Sequence, residues 1–144
     1  MENYIINNKT VAILKKNNQT IIYNVDNIVV INKKVNKILK DNCLLYGCSM
    51  DGRKKSAQRI LKKSYKLPLM INDNITLLQL NSLRKNECLF IVLNKIVDYE
   101  FNKLKLKIIC VNNNIFSTNI SKYSFENLML NAIKLNNHLN WQKS

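Results

Sequence analysis

Closely spaced arginines and lysines can hold phosphates, and their densest run in this chain is the stretch Gly47–Lys66, GCSMDGRKKSAQRILKKSYK. Arg53, Lys54, Lys55, Arg59, Lys62, Lys63 and Lys66 place seven cations in fourteen residues, with no acid between Asp51 and Asp73. The only two glycines, Gly47 and Gly52, precede them, and two of the three arginines are among them. A backbone broken at the glycines and then lined with cations that no i, i+4 acid offsets is a candidate polyanion-binding element. Arginine sharpens this reading, because its flat, forked donor set suits phosphates and narrow grooves better than an ammonium does.

Other chemistries lack their parts. His138 is the only histidine, so no Ser–His or Cys–His couple has a partner by sequence. The acids are dispersed, and a chain with two glycines has no Gly-rich phosphate loop or dinucleotide fingerprint. No catalytic residue and no cofactor is expected. The four cysteines, Cys43, Cys48, Cys88 and Cys110, contain no C-x-x-C pair. Cys43 and Cys48 make a weak ligand pair at best. All four are expected to pack as small hydrophobes, with no metal and no disulfide.

The remaining sequence must build the frame. At 144 residues and 47% hydrophobic content the chain is expected to form one domain with a real core. No apolar run approaches the roughly 20 residues of a membrane span. The N-terminus, MENYIINNK, has no basic region leading into an apolar one. A cytoplasmic protein without a membrane partner is therefore expected. The 23 cations against 9 acids give a formal charge of +14, which favours an anionic partner. A/T-rich coding bias, which enriches lysine and asparagine, is the competing explanation, but it would also enrich glutamate.

Strands are expected at Thr10–Leu14, Thr20–Tyr23 and Ile28–Ile31, separated by Asn/Lys turns. Val35–Leu39 has the i, i+3, i+4 spacing of a short helix, and Cys43–Tyr46 reads as a buried strand ending at Gly47. An amphipathic helix over about residues 52–63, capped by Asp51, would carry the cations, and Pro68 would stop it. A helix-turn-helix is disfavoured, because a strand-like segment stands between the two helices. Leu67–Ile71 and Ile75–Leu80 form a hairpin through an Asn-Asp-Asn turn. Leu89–Leu93 reads as a strand buried on both faces. Lys103–Ile108 alternates, with one apolar face and a ladder of three lysines, either a second phosphate contact or a wet sheet face. Asn112–Asn114 turns the chain into Ile115–Ile120. A final helix is expected with Ser124 as cap, Tyr123 stapled on Leu128, and a stripe of Phe125, Leu128, Met129, Ala132, Leu135 and Leu139. No internal repeat or domain boundary is evident.

In order, CLLYGCSMDGRKKSAQRIL, SYKLPLMI, SLRKNECLFIVLNKI and ISKYSFENLMLNA resemble the bacterial competence transcription factor family, ComK. The glycine–arginine–lysine segment at Gly52–Lys54 and the Tyr-Ser-Phe-Glu-Asn run at Tyr123–Asn127 are the most specific parts. The resemblance spans roughly residues 4 to 140. It implies a DNA-binding transcriptional activator of DNA-uptake genes. It further implies binding of double-stranded, A/T-rich promoter boxes through the minor groove, as a homo-oligomer under an adaptor and protease system. Arg53, Lys54 and Lys55 match the family's segment, and Arg59, Lys62, Lys63 and Lys66 extend it. Departures are Phe90 at the family's central tryptophan, and Cys48 where a serine is usual, with Ser49 next to it. The sequence given stops soon after Trp141, whereas members carry a further tail; if that tail recruits the adaptor or helps assembly, the resemblance leaves two expectations open, loss of that control or a divergent paralogue with weaker activation.

The reading as a whole is one α+β DNA-binding domain over residues 1–144: a mostly antiparallel sheet, a short basic helix mid-chain and a C-terminal amphipathic helix packed on the sheet. The alternatives are a general RNA- or DNA-binding accessory protein, and a protein-interaction module whose charge is coding bias.

Overall fold

The computed structural model describes residues 3–81 and 87–143, with the side chains of the last helix described as far as Leu139. Ser82 and Arg84 of the central family motif lie outside the described residues. The first three strands, β1 (Thr10–Lys16), β2 (Gln19–Asn24) and β3 (Ile28–Ile31), form an antiparallel meander. Helices α1 (Val35–Leu45) and α2 (Met50–Leu61) follow, then β4 (Leu69–Asn72), β5 (Ile75–Gln79) and β6 (Glu87–Val92). The strands join into a six-stranded sheet in the order β3-β2-β1-β6-β5-β4, antiparallel throughout. β6, expected to be buried on both faces, pairs with β1 and β5, and Cys88 through Val92 are buried.

A smaller sheet in the order β7-β8-β9, from Ile96–Asn102, Lys105–Cys110 and Ile115–Thr118, precedes α3 (Lys122–Lys143). The apolar residues sort into two layers because side chains alternate across the large sheet. One face buries Ile13, Leu77 and Phe90 against Val35, Leu39 and Cys43 of α1 and Met50 of α2. The other face buries Ala12, Leu89 and Ile91 against Leu106 and Ile108 of β8 and Phe125, Leu128 and Ala132 of α3. The architecture is α+β, with the C-terminal helix on the sheet as expected. At the β4 edge, Ala57 of α2, Met70 of β4 and Leu135 of α3 pack together, so α2 covers an edge that would otherwise offer open strand hydrogen bonds.

Three expectations are corrected. Cys43–Tyr46 is not a buried strand: α1 continues to Leu45, and Leu44 and Leu45 are 63% and 57% exposed. A four-residue apolar run does not distinguish strand from helix; here Val35, Ile38, Leu39, Asn42 and Cys43 make one helical face. Buried Asn42 secures it, accepting from Ile6 N at 2.8 Å and donating to the carbonyls of Tyr4 and Ile38 at 2.9 Å each. Second, Ser121 rather than Ser124 caps α3: its Oγ accepts from Ser124 N at 3.1 Å, and Tyr123 is 76% exposed, so no staple forms. Third, Lys103 sits in a turn at φ 55° and Leu104 is 84% exposed, so the β8 ladder has two lysines, Lys105 and Lys107. Beyond these, β7 forms over 96–102, a stretch for which the sequence reading names no element; the alternation Val97-Asp98-Tyr99-Glu100-Phe101 is its signal.

Candidate nucleic-acid interface

The chain reaches the cationic run through a tight joint. α1 ends in the pattern that a left-handed residue permits: Gly47 has φ +91°, its N–H bonds Leu44 O at 3.0 Å, and Cys48 N bonds Cys43 O at 3.0 Å. Only this glycine breaks the backbone. Gly52 lies inside the first turn of α2, where an added Cβ would meet Ser49 Oγ at 3.0 Å and Cys48 Sγ at 3.3 Å. Ser49, not Asp51, is the cap; its Oγ accepts from Gly52 N at 2.9 Å. α1 and α2 are thus joined by the four residues Tyr46–Ser49. The strand that argued against a helix-turn-helix does not exist, and the two helices have that motif's short connection.

α2 has a narrow buried face, with Met50 and Ala57 fully inside and Ile60 and Leu61 half-buried. This leaves a continuous solvent stripe of Asp51, Lys54, Lys55, Gln58, Arg59 and Lys62, spaced i, i+3, i+4, i+7, i+8 and i+11. Four of these six are cations. Asp51 Oδ2 pairs with Lys55 Nζ at 3.2 Å, so one cation has an i, i+4 partner that corrects the expectation of an uncompensated run. Both side chains are exposed, and such a pair is worth only about 0.3–0.5 kcal/mol. No other ion pair within 4.0 Å involves this run among the described residues.

Arg53 stands apart from the stripe. It is half-buried on the flank towards α1, its Nε is enclosed with no hydrogen-bond partner among the described residues, and its charge partly offsets the burial that pushes the Cys43 thiol up. The helix ends at Lys62, in the left-handed region at φ 55°, ψ 43°. The following loop presents Lys63, Tyr65 and Lys66; Lys63 Nζ lies 5.5 Å from the Tyr65 ring centre. The structure therefore gathers Lys54, Lys55, Arg59 and Lys62 on one helix face, continues them into a loop with Lys63 and Lys66, and turns Arg53 aside. Gln58 and Tyr65, absent from the sequence-derived set, belong to the same surface. Their positions among the cations were the available signal.

The other groups do not make a competing site. Burial pushes the Cys88 and Cys110 thiols up to about 11, and holds Cys43 above its ordinary value, so all three stay protonated and poorly nucleophilic near neutrality. All four cysteines are free, and among the described residues no three of His, Cys, Asp and Glu come together as a metal cage. No helix among the described residues is long and apolar enough to cross a membrane.

Fold and surface together define a basic α+β protein whose cations concentrate on one short helix and the loop behind it. The family described as ComK protein matches residues 1–144, the whole chain. The chain belongs to the ComK family, that of the competence transcription factors. No curated protein and no solved structure matches it.

Proposed function

We propose that residues 1–144 form one DNA-binding domain that activates DNA-uptake genes from the cytoplasm by recognising A/T-rich promoter boxes, as a homo-oligomer under adaptor and protease control. The carrying observation is the α2 stripe. Lys54, Arg59 and Lys62 are exposed on one face with no ion-pair partner within 4.0 Å among the described residues, and Lys66 follows in the loop. Phosphates repeat along a duplex, and a row of cations meets them by releasing condensed counterions. A/T tracts add a narrow minor groove of deepened negative potential, which attracts arginine and lysine. Binding at the minor groove and activation are extensions of family membership. Proposed contacts are Lys54, Lys55, Arg59, Lys62, Lys63 and Lys66 directly, with Arg53 positioning the α1–α2 joint.

The test is a competition titration of the full chain with an A/T-tract duplex against a G/C-rich duplex of equal length, repeated with distamycin, which occupies A/T minor grooves. The proposal expects preference for the A/T duplex and displacement by distamycin. Equal competition would favour a general accessory nucleic-acid binder. The tight α1–α2 joint supports one second reading, α2 docked in the major groove. Preference for A/T sequence that survives saturating distamycin would select it.

A further inference from the structure

The minor groove is too narrow to admit α2 itself. A helix with its side chains is about 10–12 Å across, whereas the minor groove of B-form DNA is about 6 Å wide. If the helix follows the phosphates, something narrower must enter.

The loop after α2 has that form. It starts and ends on residues held in the left-handed region, Lys62 at φ 55° and Lys66 at φ 54°. Lysine reaches this region only at a cost that glycine avoids. Between them Tyr65 is 66% exposed. Among the described residues the other exposed aromatic rings are Phe101 and Tyr123, and neither has lysines on both sides in sequence as Tyr65 does. The loop is also thinly supported. A hollow of about 200 Å³ is lined by Leu39, Gln58 and Phe90. Another of about 360 Å³ is lined by Leu80, Ile120 and Leu128, and Tyr65 and Lys66 border both. Ring burial therefore does not account for an aromatic residue here. The Lys63 ammonium lies over the ring, which as a whole stays mostly exposed.

We infer that the Lys62–Lys66 loop enters the minor groove and that Tyr65 is its wedge, its ring stacking at an opened base step while Lys63 and Lys66 reach the phosphates on either side. This rests on the DNA-binding reading above and adds an element that enters the groove and a local distortion. Apolar wedges flanked by cations unstack and kink DNA in this way, and pyrimidine–purine steps in A/T sequence open most easily. The binding site should therefore contain a TA step at its centre.

The experiment uses the full chain, an A/T-tract duplex with 2-aminopurine at a central TA step, and fluorophores at the duplex ends. Mobility shift reads affinity, 2-aminopurine emission reads unstacking, and end-to-end energy transfer reads bending. The wild type is expected to raise the emission and bring the ends closer. Tyr65→Ala should lose both signals and bind about tenfold more weakly, the scale of one lost aromatic–base stack. Tyr65→Phe, which keeps the ring, should behave as wild type. Tyr65 is mostly exposed, so both variants should fold, and far-ultraviolet circular dichroism checks this. If the wild type shifts the duplex but emission stays flat, or Tyr65→Ala retains affinity and emission, the wedge is overturned and the α2 reading stands. If the wild type does not shift the duplex, both fall together.

Discussion

The chain has two lysine-rich surfaces, α2 with its trailing loop, and the outer face of β8, and they differ in their neighbours. On α2 the exposed positions repeat down one side of a helix whose only acid is Asp51 at the first turn. On β8, Lys107 lies directly opposite Glu100 of β7, Lys105 opposite Asn102, and Asp98 faces Ile109 on the same strand pair. Opposite charges at facing positions of an antiparallel pair attract and lower the local potential. A third basic place is partly offset: Lys37 and Lys33 of the α1 region lie 3.0 and 3.6 Å from the one carboxylate of Asp41, which is held below the ordinary range chiefly by the Lys37 hydrogen bond. Cation density along a sequence therefore does not locate an anion site; cations left unanswered by the fold do.

Variants turn this contrast into measurements. Replacing Lys54, Lys55, Arg59 and Lys62 together by alanine should weaken A/T-duplex binding by about a hundredfold or more, since a groove-reading contact is worth about 1–3 kcal/mol and phosphate contacts less. A mobility-shift titration reads it. Asn42→Leu, which strips three hydrogen bonds from the seat of α1, should lower stability by about 1–3 kcal/mol. Urea unfolding checks that loss, and duplex affinity of the folded fraction should stay within about threefold, separating the frame from the contact surface. Asp51→Asn releases Lys55 and removes the one acid on the stripe, so binding should tighten by about twofold at low salt, an effect the size of one exposed ion pair. Lys105→Ala with Lys107→Ala should change affinity by less than about twofold, because those ammoniums already face an acid and an amide. A large loss there would reverse the ranking of the two surfaces.

Much of the frame was legible because its signals are local. β-branched runs marked the first three strands, the uninterrupted apolar run of β6 marked the centre of the sheet, and the spacing of Phe125, Leu128, Ala132 and Leu135 marked the buried side of α3. What escaped depends on partners far along the chain. The last turn of α1 is fixed by Asn42 reaching back to Tyr4 and Ile6, a contact no window around Cys43 contains. Both helix caps were placed too late. Asp51 and Ser124 are good cap residues by type, but the serines that accept from the third residue of each helix, Ser49 and Ser121, lie just upstream. The cationic set was legible as a run, whereas its division was not. That Arg53 turns inward while Gln58 and Tyr65 join the surface follows from how α2 packs on α1, β4 and α3. The tyrosine hydroxyl of Tyr99, 2.6 Å from Glu126, ties the small sheet to the start of α3 and raises the Tyr99 pKa through that bond, another link across distant sequence.

The central claim is that α2 meets DNA phosphates and β8 does not, and the slope of log affinity against log salt measures this most directly. Each phosphate neutralised on a duplex adds about 0.9 to that slope. Loss of the four α2 cations should reduce it by about three to four, while the Lys105/Lys107 double variant keeps the wild-type slope. An unchanged slope for the α2 variant, or an equal reduction in both, would contradict the account.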